Sequence, residues 1–279
     1  MDHEVPGQVY LCQVDETISC GACCGLYNVP ELDRQNLNAL LEQRTARFAV
    51  TPRTTAAIDA FALESTNVES WQRPFEKFHH CPFLGLIGNG KKRVGCLLHP
   101  LAHGNQGVDF RGLSYYGGFA CRTFFCTSTR TLEKRYKQIV RLASDHWFAY
   151  GLVVTETALL SACFERIEQE LGYSLNPADL AGKNSACAAL KALLGLKIDW
   201  PFRPRTRTTA CHYLFNDTEH PKPAIDYAAL GVGPSAYDGI LTELVSSFDT
   251  AAQLQAAETV IQNHLDAVVE SLRAIKAPA

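Results

Sequence analysis

The chain has 279 residues, 47% of them apolar, enough for one large domain or two ordinary ones with a real core. Its 26 basic and 29 acidic side chains create no field that would single out nucleic acid or an anionic membrane as a partner. Eleven cysteines are many, but an odd count in a chain with no secretory signal argues against a disulfide framework.

The N-terminal stretch "MDHEVPGQVYLCQVDE" has neither a basic start nor an apolar run, so no signal peptide is expected. No apolar stretch approaches the roughly 18 residues that span a bilayer. A soluble cytoplasmic protein is the expectation.

Cys20, Cys23 and Cys24 follow within "TISCGACCGLYN". A C-x-x-C turn can aim two sulfurs at one metal, and Gly21 permits the tight backbone that brings N–H groups to them. Zinc takes four such ligands at about 2.3 Å, and an iron–sulfur cluster also takes four cysteines. Neighbouring side chains diverge, so Cys23 and Cys24 rarely serve the same metal atom. Cys24 then reaches a different iron or a second metal, or is not a ligand, and this favours a cluster over a single zinc ion. A thioredoxin-type redox pair would need a βαβ setting, which the flanking sequence lacks.

Further along, "ELDRQNLNALLEQRTARF" predicts a helix, and a second is expected near Thr55 to Leu63. Cys81 lies in "HHCPFLG" before Pro82. In "GLIGNGKKRVG", Asn89-Gly90 between two short apolar runs predicts a β-hairpin. The stretch has neither the G-x-G-x-x-G spacing nor the Gly-Lys-Ser/Thr ending of a phosphate loop. Cys96 follows in "VGCLLHP". The glycine- and aromatic-rich "HGNQGVDFRGLSYYGGFA" reads as a loop leading to Cys121 and Cys126 in "ACRTFFC".

Beyond Cys126 the sequence is helical. "TRTLEKRYKQIVRLASDHWFAY" carries Leu132, Tyr136, Ile139, Val140, Ala143, Trp147 and Phe148 on one helix face. "TETALLSACFERIEQELG" ends at Gly172 as a C-cap, and Asn176 before Pro177 opens "PADLAGKNSACAALKALLG". Ser235 and Asp249 are expected to cap two more helices. The last helix carries Leu254, Ala257, Ile261, Leu265, Val268, Leu272 and Ile275 as a stripe for helix packing or an oligomer contact. Cys163, Cys187 and Cys211 read as small buried hydrophobes. Glu165 and Glu168 read as a solvated charged face, and "RPRTRTTACHY" as a basic connector.

The fold expected is mainly α. A loop-rich N-terminal metal-binding region with a short β-hairpin, residues 1–127, packs on a C-terminal helical domain, residues 128–279. The candidate metal ligands are Cys20, Cys23, Cys24, Cys81, Cys96, Cys121 and Cys126, with Cys12 as a further possibility. His79, His80, His99 and His103 are expected to support the ligands or lie at the surface rather than ligate. The aromatics Phe110, Tyr115, Tyr116, Phe119, Phe124 and Phe125 are expected to pack around the metal and exclude water. Arg111 and Arg122 are expected in ion pairs.

Four pieces in order, "SCGACC", "HCPFLG", "GCLLHP" and "ACRTFFC", resemble the YkgJ-type cysteine-cluster family of zinc- or iron-chelating domains with a CxxCxxCC signature. The resemblance spans roughly residues 10 to 130. The first cysteine of the family's opening falls at Thr17, and Cys12 lies upstream in its place. His99-Pro100 stands where the family has an aromatic followed later by Arg-Pro. The resemblance implies a cysteine-bound [4Fe–4S] cluster or, alternatively, Zn²⁺. It extends to flagellin lysine N-methylases, so it also implies the possibility of protein lysine methyl transfer with S-adenosylmethionine, for which the sequence has no glycine-rich fingerprint. Three readings stand: a metal-binding protein with an iron–sulfur cluster, an iron–sulfur-dependent methyltransferase-like enzyme, or a zinc-stabilised protein that binds a partner through its C-terminal helices. No nucleic acid or membrane is expected as a partner, and the oligomeric state is open.

Overall fold

The computed structural model describes residues 5–68, 71–182, 184–204 and 224–276. The protein is mainly α with a short antiparallel hairpin. It divides into two compact units. One comprises Tyr10–Cys126 and Asp145–Gly151. The other comprises Thr127–Ser144 and the described parts of Met1–Val9 and Leu152–Ala279.

In the cysteine-bearing unit, α1 (Arg34–Val50) starts where the Asp33 carboxylate accepts the Gln35 and Asn36 N–H groups, at 2.8 and 3.0 Å. Leu37, Leu41, Arg44, Thr45 and Phe48 form its buried face. The helix α2 (Thr55–Val68) follows. Strands β1 (Leu84–Ile87) and β2 (Arg93–Cys96) pair antiparallel, with Leu84 opposite Cys96 and Gly85 opposite Gly95. The turn at Asn89–Lys91 uses left-handed Gly88 and Gly90. Thr45 ties α1 to β1 by accepting the Leu86 N–H at 2.7 Å. Phe48, Ile58, Phe61, Phe83, Leu97 and Leu98 form the core. Phe48 meets Phe61 and Phe83 edge-on, and each ring so buried stabilises by about 2–3 kcal/mol.

The glycine-rich stretch expected as a loop contains a short helix, α3 (Gly117–Thr123), which carries Cys121. Its first residue, Gly117, is left-handed at φ 75°.

Beyond Cys126, the single helix expected over residues 129–150 is three. They are α4 (Thr127–Thr131), α5 (Lys134–Ala143) and α6 (Trp147–Val154). Ser144 turns extended, and its hydroxyl bonds back to the Val140 carbonyl at 2.7 Å. The apolar period runs on through this break, which is why the sequence hides it. Next comes α7 (Thr157–Leu171), which ends at left-handed Gly172 as expected. Asn176 caps α8 (Pro177–Leu180), but this helix stops after one turn, and α9 (Asn184–Asp199) follows Gly182, whose φ is 71°.

Before α10 (Asp238–Glu243), Ser235 accepts the Tyr237 N–H from two residues upstream of the N-cap position, which Tyr237 holds. At α11 (Ala251–Lys276) the Gln253 N–H goes to Thr250 rather than to Asp249. The stripe on α11 is core: Leu254, Ala257, Ile261, Leu265, Val268 and Leu272 are buried, and the helix packs on α9 and α7. Cys163 is buried on α7 and Cys187 half-buried on α9, while Cys211 and residues 205–213 of the basic connector lie outside the described residues. Glu168 is not solvated: it pairs with Arg135 and accepts from the Tyr136 hydroxyl at 3.1 Å and the Leu175 N–H at 2.7 Å.

Candidate metal centre

Cys20, Cys23 and Cys24 sit on a tight turn. Ala22–Cys24 form one 3₁₀ turn between Gly21 and left-handed Gly25. The Cys24 N–H reaches the Gly21 carbonyl at 3.1 Å, and the Ala22 N–H points at the Cys20 sulfur at 3.5 Å. A backbone N–H on a sulfur is the kind of contact that stabilises a thiolate.

Hydrogen bonds fasten this turn on two sides. Gln13 and Ser19 form a β-bridge, and the Cys20 N–H donates to the Cys12 carbonyl at 2.9 Å. On the other side the Cys81 N–H donates to the Cys24 carbonyl at 2.9 Å. Buried Arg44 donates to the Cys81 carbonyl at 3.1 Å. Cys96 is reached through the hairpin, since Leu84 is both its register partner and the donor to the Cys81 carbonyl. Cys81 and Cys96 pack against the same Phe48–Phe83 core.

The last two cysteines arrive from the α3 region. The Cys121 sulfur lies 3.0 Å from the Ser114 hydroxyl. Tyr116, on the approach to α3, meets the His79 Nδ1 at 3.0 Å, two residues from Cys81. Phe125, beside Cys126, makes an edge contact with Tyr10, beside Leu11 and Cys12. Asn28 holds the segment before Cys81 by donating to the Phe75 and Phe78 carbonyls and accepting from the Phe75 N–H.

None of these eight thiols is in a disulfide. Most would cost energy to ionise in the metal-free chain. Burial raises Cys81 to about 11 and Cys96 to about 12, with the Cys81 charge a further cause at Cys96. Burial also raises Cys12 and Cys20, and the hydrogen bond to Cys23 is the leading cause at Cys24. Cys23 moves the opposite way, because that bond from Cys24 stabilises its thiolate. Cys12 lies within electrostatic reach of Cys23 and Cys126, and Cys20 of Cys12, Cys23 and Cys126. Cys24 lies within reach of Cys81 and Cys96, and Cys121 within reach of both Cys81 and Cys96. Cys23 also acts on Cys81.

Among the described residues no group of three or more histidine, cysteine, aspartate or glutamate side chains is arranged to hold a metal ion. The seven thiols singled out by sequence therefore share a neighbourhood without closing on one point. Cys12, set beside them by sequence only as a further possibility, shares it too. The Gln13–Ser19 bridge that brings it there has no local motif to reveal it.

Of the four histidines, His103 is exposed, and the other three make hydrogen bonds of their own. The His80 Nδ1 lies 2.7 Å from the Gly25 carbonyl, while its Nε2 is buried with no hydrogen-bond partner. Burial depresses His80 to about 3 and His79 to about 4, so both are neutral. The His99 Nδ1 accepts the Leu101 N–H. Asp109 is gripped by Arg111 through Nε at 2.9 Å and Nη2 at 2.8 Å, and by Arg122 at 3.2 Å. The aromatics do not form the expected dry shell. Phe119 is 83% exposed and Tyr115 77%, with Tyr116 and Phe124 also exposed; Phe110 alone of the six packs on the core cluster. Glycines and Cys121 leave α3 too little apolar face to bury those rings.

An open depression of about 400 Å³ in the helical unit is lined by Glu165, Glu168, Gln169, Gly172, Tyr173 and Ser174, and no candidate cysteine lines it. Among the described residues, no single helix is long and apolar enough to cross a membrane. No protein-family model, curated protein or solved structure matches the chain.

Proposed function

We propose that the unit Tyr10–Cys126 binds an iron–sulfur cluster through its cysteines, with Cys20, Cys23, Cys24, Cys81, Cys96, Cys121 and Cys126 as the candidate ligand set. The observation that carries this is the gathering, from four separate segments, of thiols outside any disulfide. Backbone hydrogen bonds at Cys20, Cys24 and Cys81 hold three of them in register. Neutral thiols have no strong mutual attraction that would reward such a gathering. A cation that takes them as thiolates does, and a metal site commonly closes only when the metal arrives.

The looseness of the grouping suits a cluster. Zinc–sulfur bonds of about 2.3 Å place tetrahedral sulfurs within about 4 Å of one another. A polynuclear cluster accepts sulfurs spaced more widely. The N–H contact on the Cys20 sulfur is of the kind that tunes a cluster's potential. Once bound, such a cluster supplies one-electron redox capacity or acts as a clamp on loops that bury little surface.

The test is purification without oxygen, followed by an absorption spectrum and metal analysis. A brown protein with broad visible absorption, bleached by dithionite, is expected. Cys20→Ala and Cys23→Ala should lose colour and iron. A colourless wild-type protein with stoichiometric zinc overturns the iron reading, and full metal retention in both variants overturns the ligand assignment.

A further inference from the structure

Eight thiols are too many for one centre that takes four. We propose that they form two four-thiolate centres, one from Cys12, Cys20, Cys23 and Cys126 and the other from Cys24, Cys81, Cys96 and Cys121, meeting at the adjacent pair Cys23–Cys24. The partition rests on the metal-binding reading above and adds the number of centres, the eighth ligand and the allocation of each sulfur.

The backbone makes the division. Cys12 and Cys20 are joined by an N–H···O bond beside the Gln13–Ser19 bridge. The Tyr10–Phe125 ring contact brings the Cys12 segment and the Cys126 segment together. Cys24 and Cys81 are joined by their own N–H···O bond, and Cys96 is set against that pair by the Leu84 register. Ser114 on the Cys121 sulfur and the Tyr116–His79 contact bring Cys121 to the same side. Cys23 and Cys24 stand at the divide. Successive residues of a 3₁₀ turn leave its axis about 120° apart, so one turn supplies a thiol to each side, with the two sulfurs in hydrogen-bond contact at the junction.

Each set holds four thiols, the number that a [4Fe–4S] cluster or a zinc ion takes.

The test compares iron, acid-labile sulfide and zinc per chain in the anaerobically purified wild type with Cys12→Ser, Cys126→Ser and Cys121→Ser. Far-UV circular dichroism confirms that each is folded. Wild type should hold about eight iron and eight sulfide, and each variant about half. Two variants from the first set guard against one that fails to fold. Electron paramagnetic resonance of the dithionite-reduced wild type should show broadening from two nearby spins, and either halved variant should lose it. About four iron in wild type, abolished by variants of one set and untouched by the other, overturns the proposal. Zinc at about two per chain, halved by the same variants, overturns the iron reading and upholds the partition. A chain with no bound metal overturns both.

Discussion

Gly25 is held at φ 81°, immediately after the Cys23–Cys24 pair, and a Cβ there would lie 1.9 Å from the His79 carbonyl oxygen. That oxygen belongs to backbone, so it cannot swing aside as a side chain would. Gly25→Ala therefore meets both the left-handed penalty of about 1–2 kcal/mol and a main-chain clash. We expect it to cost at least about 2 kcal/mol in a urea titration and to lower bound iron. A variant as stable as wild type would show that Gly25 does not hold the turn against the His79–Cys81 segment.

Asp109 makes a pH-dependent prediction at the same scale. The Arg111 guanidinium, with Arg122 behind it, holds the Asp109 carboxyl well below the usual carboxylate range. A depressed folded-state value means the pairing stabilises above the unfolded value of about 3.9 and is lost as pH falls below it. The carboxylate is partly solvent-screened, so Asp109→Asn should cost about 1 kcal/mol or less near neutral pH. Melting curves at pH 7 and near pH 3 should show that difference shrinking in acid. A difference that grows in acid would contradict the assigned pairing.

At the scale of elements, the helical unit buries an ion pair as part of its packing. Lys197 on α9 lies 3.5 Å from Glu156 at the start of α7, and both side chains are fully buried. Lys197 also donates to the Glu243 carbonyl on α10 at 3.2 Å, so one cation links three helices. Removing one partner leaves a buried charge, and Glu156→Gln should destabilise by about 3 kcal/mol. The double variant Glu156→Leu, Lys197→Met removes both charges and should cost less than the single one in chemical denaturation. If the single substitution is neutral, the pair does not organise these helices.

The elements also divide by how far the sequence revealed them. The α11 stripe and the Gly172 stop each depend on residues close in sequence, and a local pattern carries them. The break at Ser144 depends on distant partners instead. The carbonyls of Trp147 and Phe148 accept the Tyr27 hydroxyl at 3.1 and 3.0 Å, and the Tyr150 hydroxyl donates to the Leu11 carbonyl. Those partners lie more than a hundred residues away, and no periodicity encodes them. Gly151 fits the same contact, since a Cβ there would meet the Tyr27 hydroxyl at 2.1 Å.

For the whole molecule, the cysteines were legible as residue types with metal chemistry, while their neighbourhoods became visible only through long-range hydrogen bonds. Cys12 joins Cys20 across a bridge of ordinary polar residues, and Cys24 joins Cys81 over 57 positions. The exposure of Phe119 and Tyr115 was hidden too, because aromatic residues ordinarily seek cover. On the proposed reading, the metal clips loops that bury little surface. Stripping iron should therefore make the Tyr10–Cys126 unit the first region cut in limited proteolysis, with cleavage sites read by mass spectrometry. Equal resistance before and after stripping would mean that metal does not hold these loops.

The central claim is that clustered cysteines hold iron and inorganic sulfide. Its most direct measurement is the iron, sulfide and zinc content of the wild-type chain purified without oxygen. The account predicts iron and acid-labile sulfide in equal amounts, at about four or more of each per chain. Stoichiometric zinc without sulfide, or a folded chain with no metal, would contradict it.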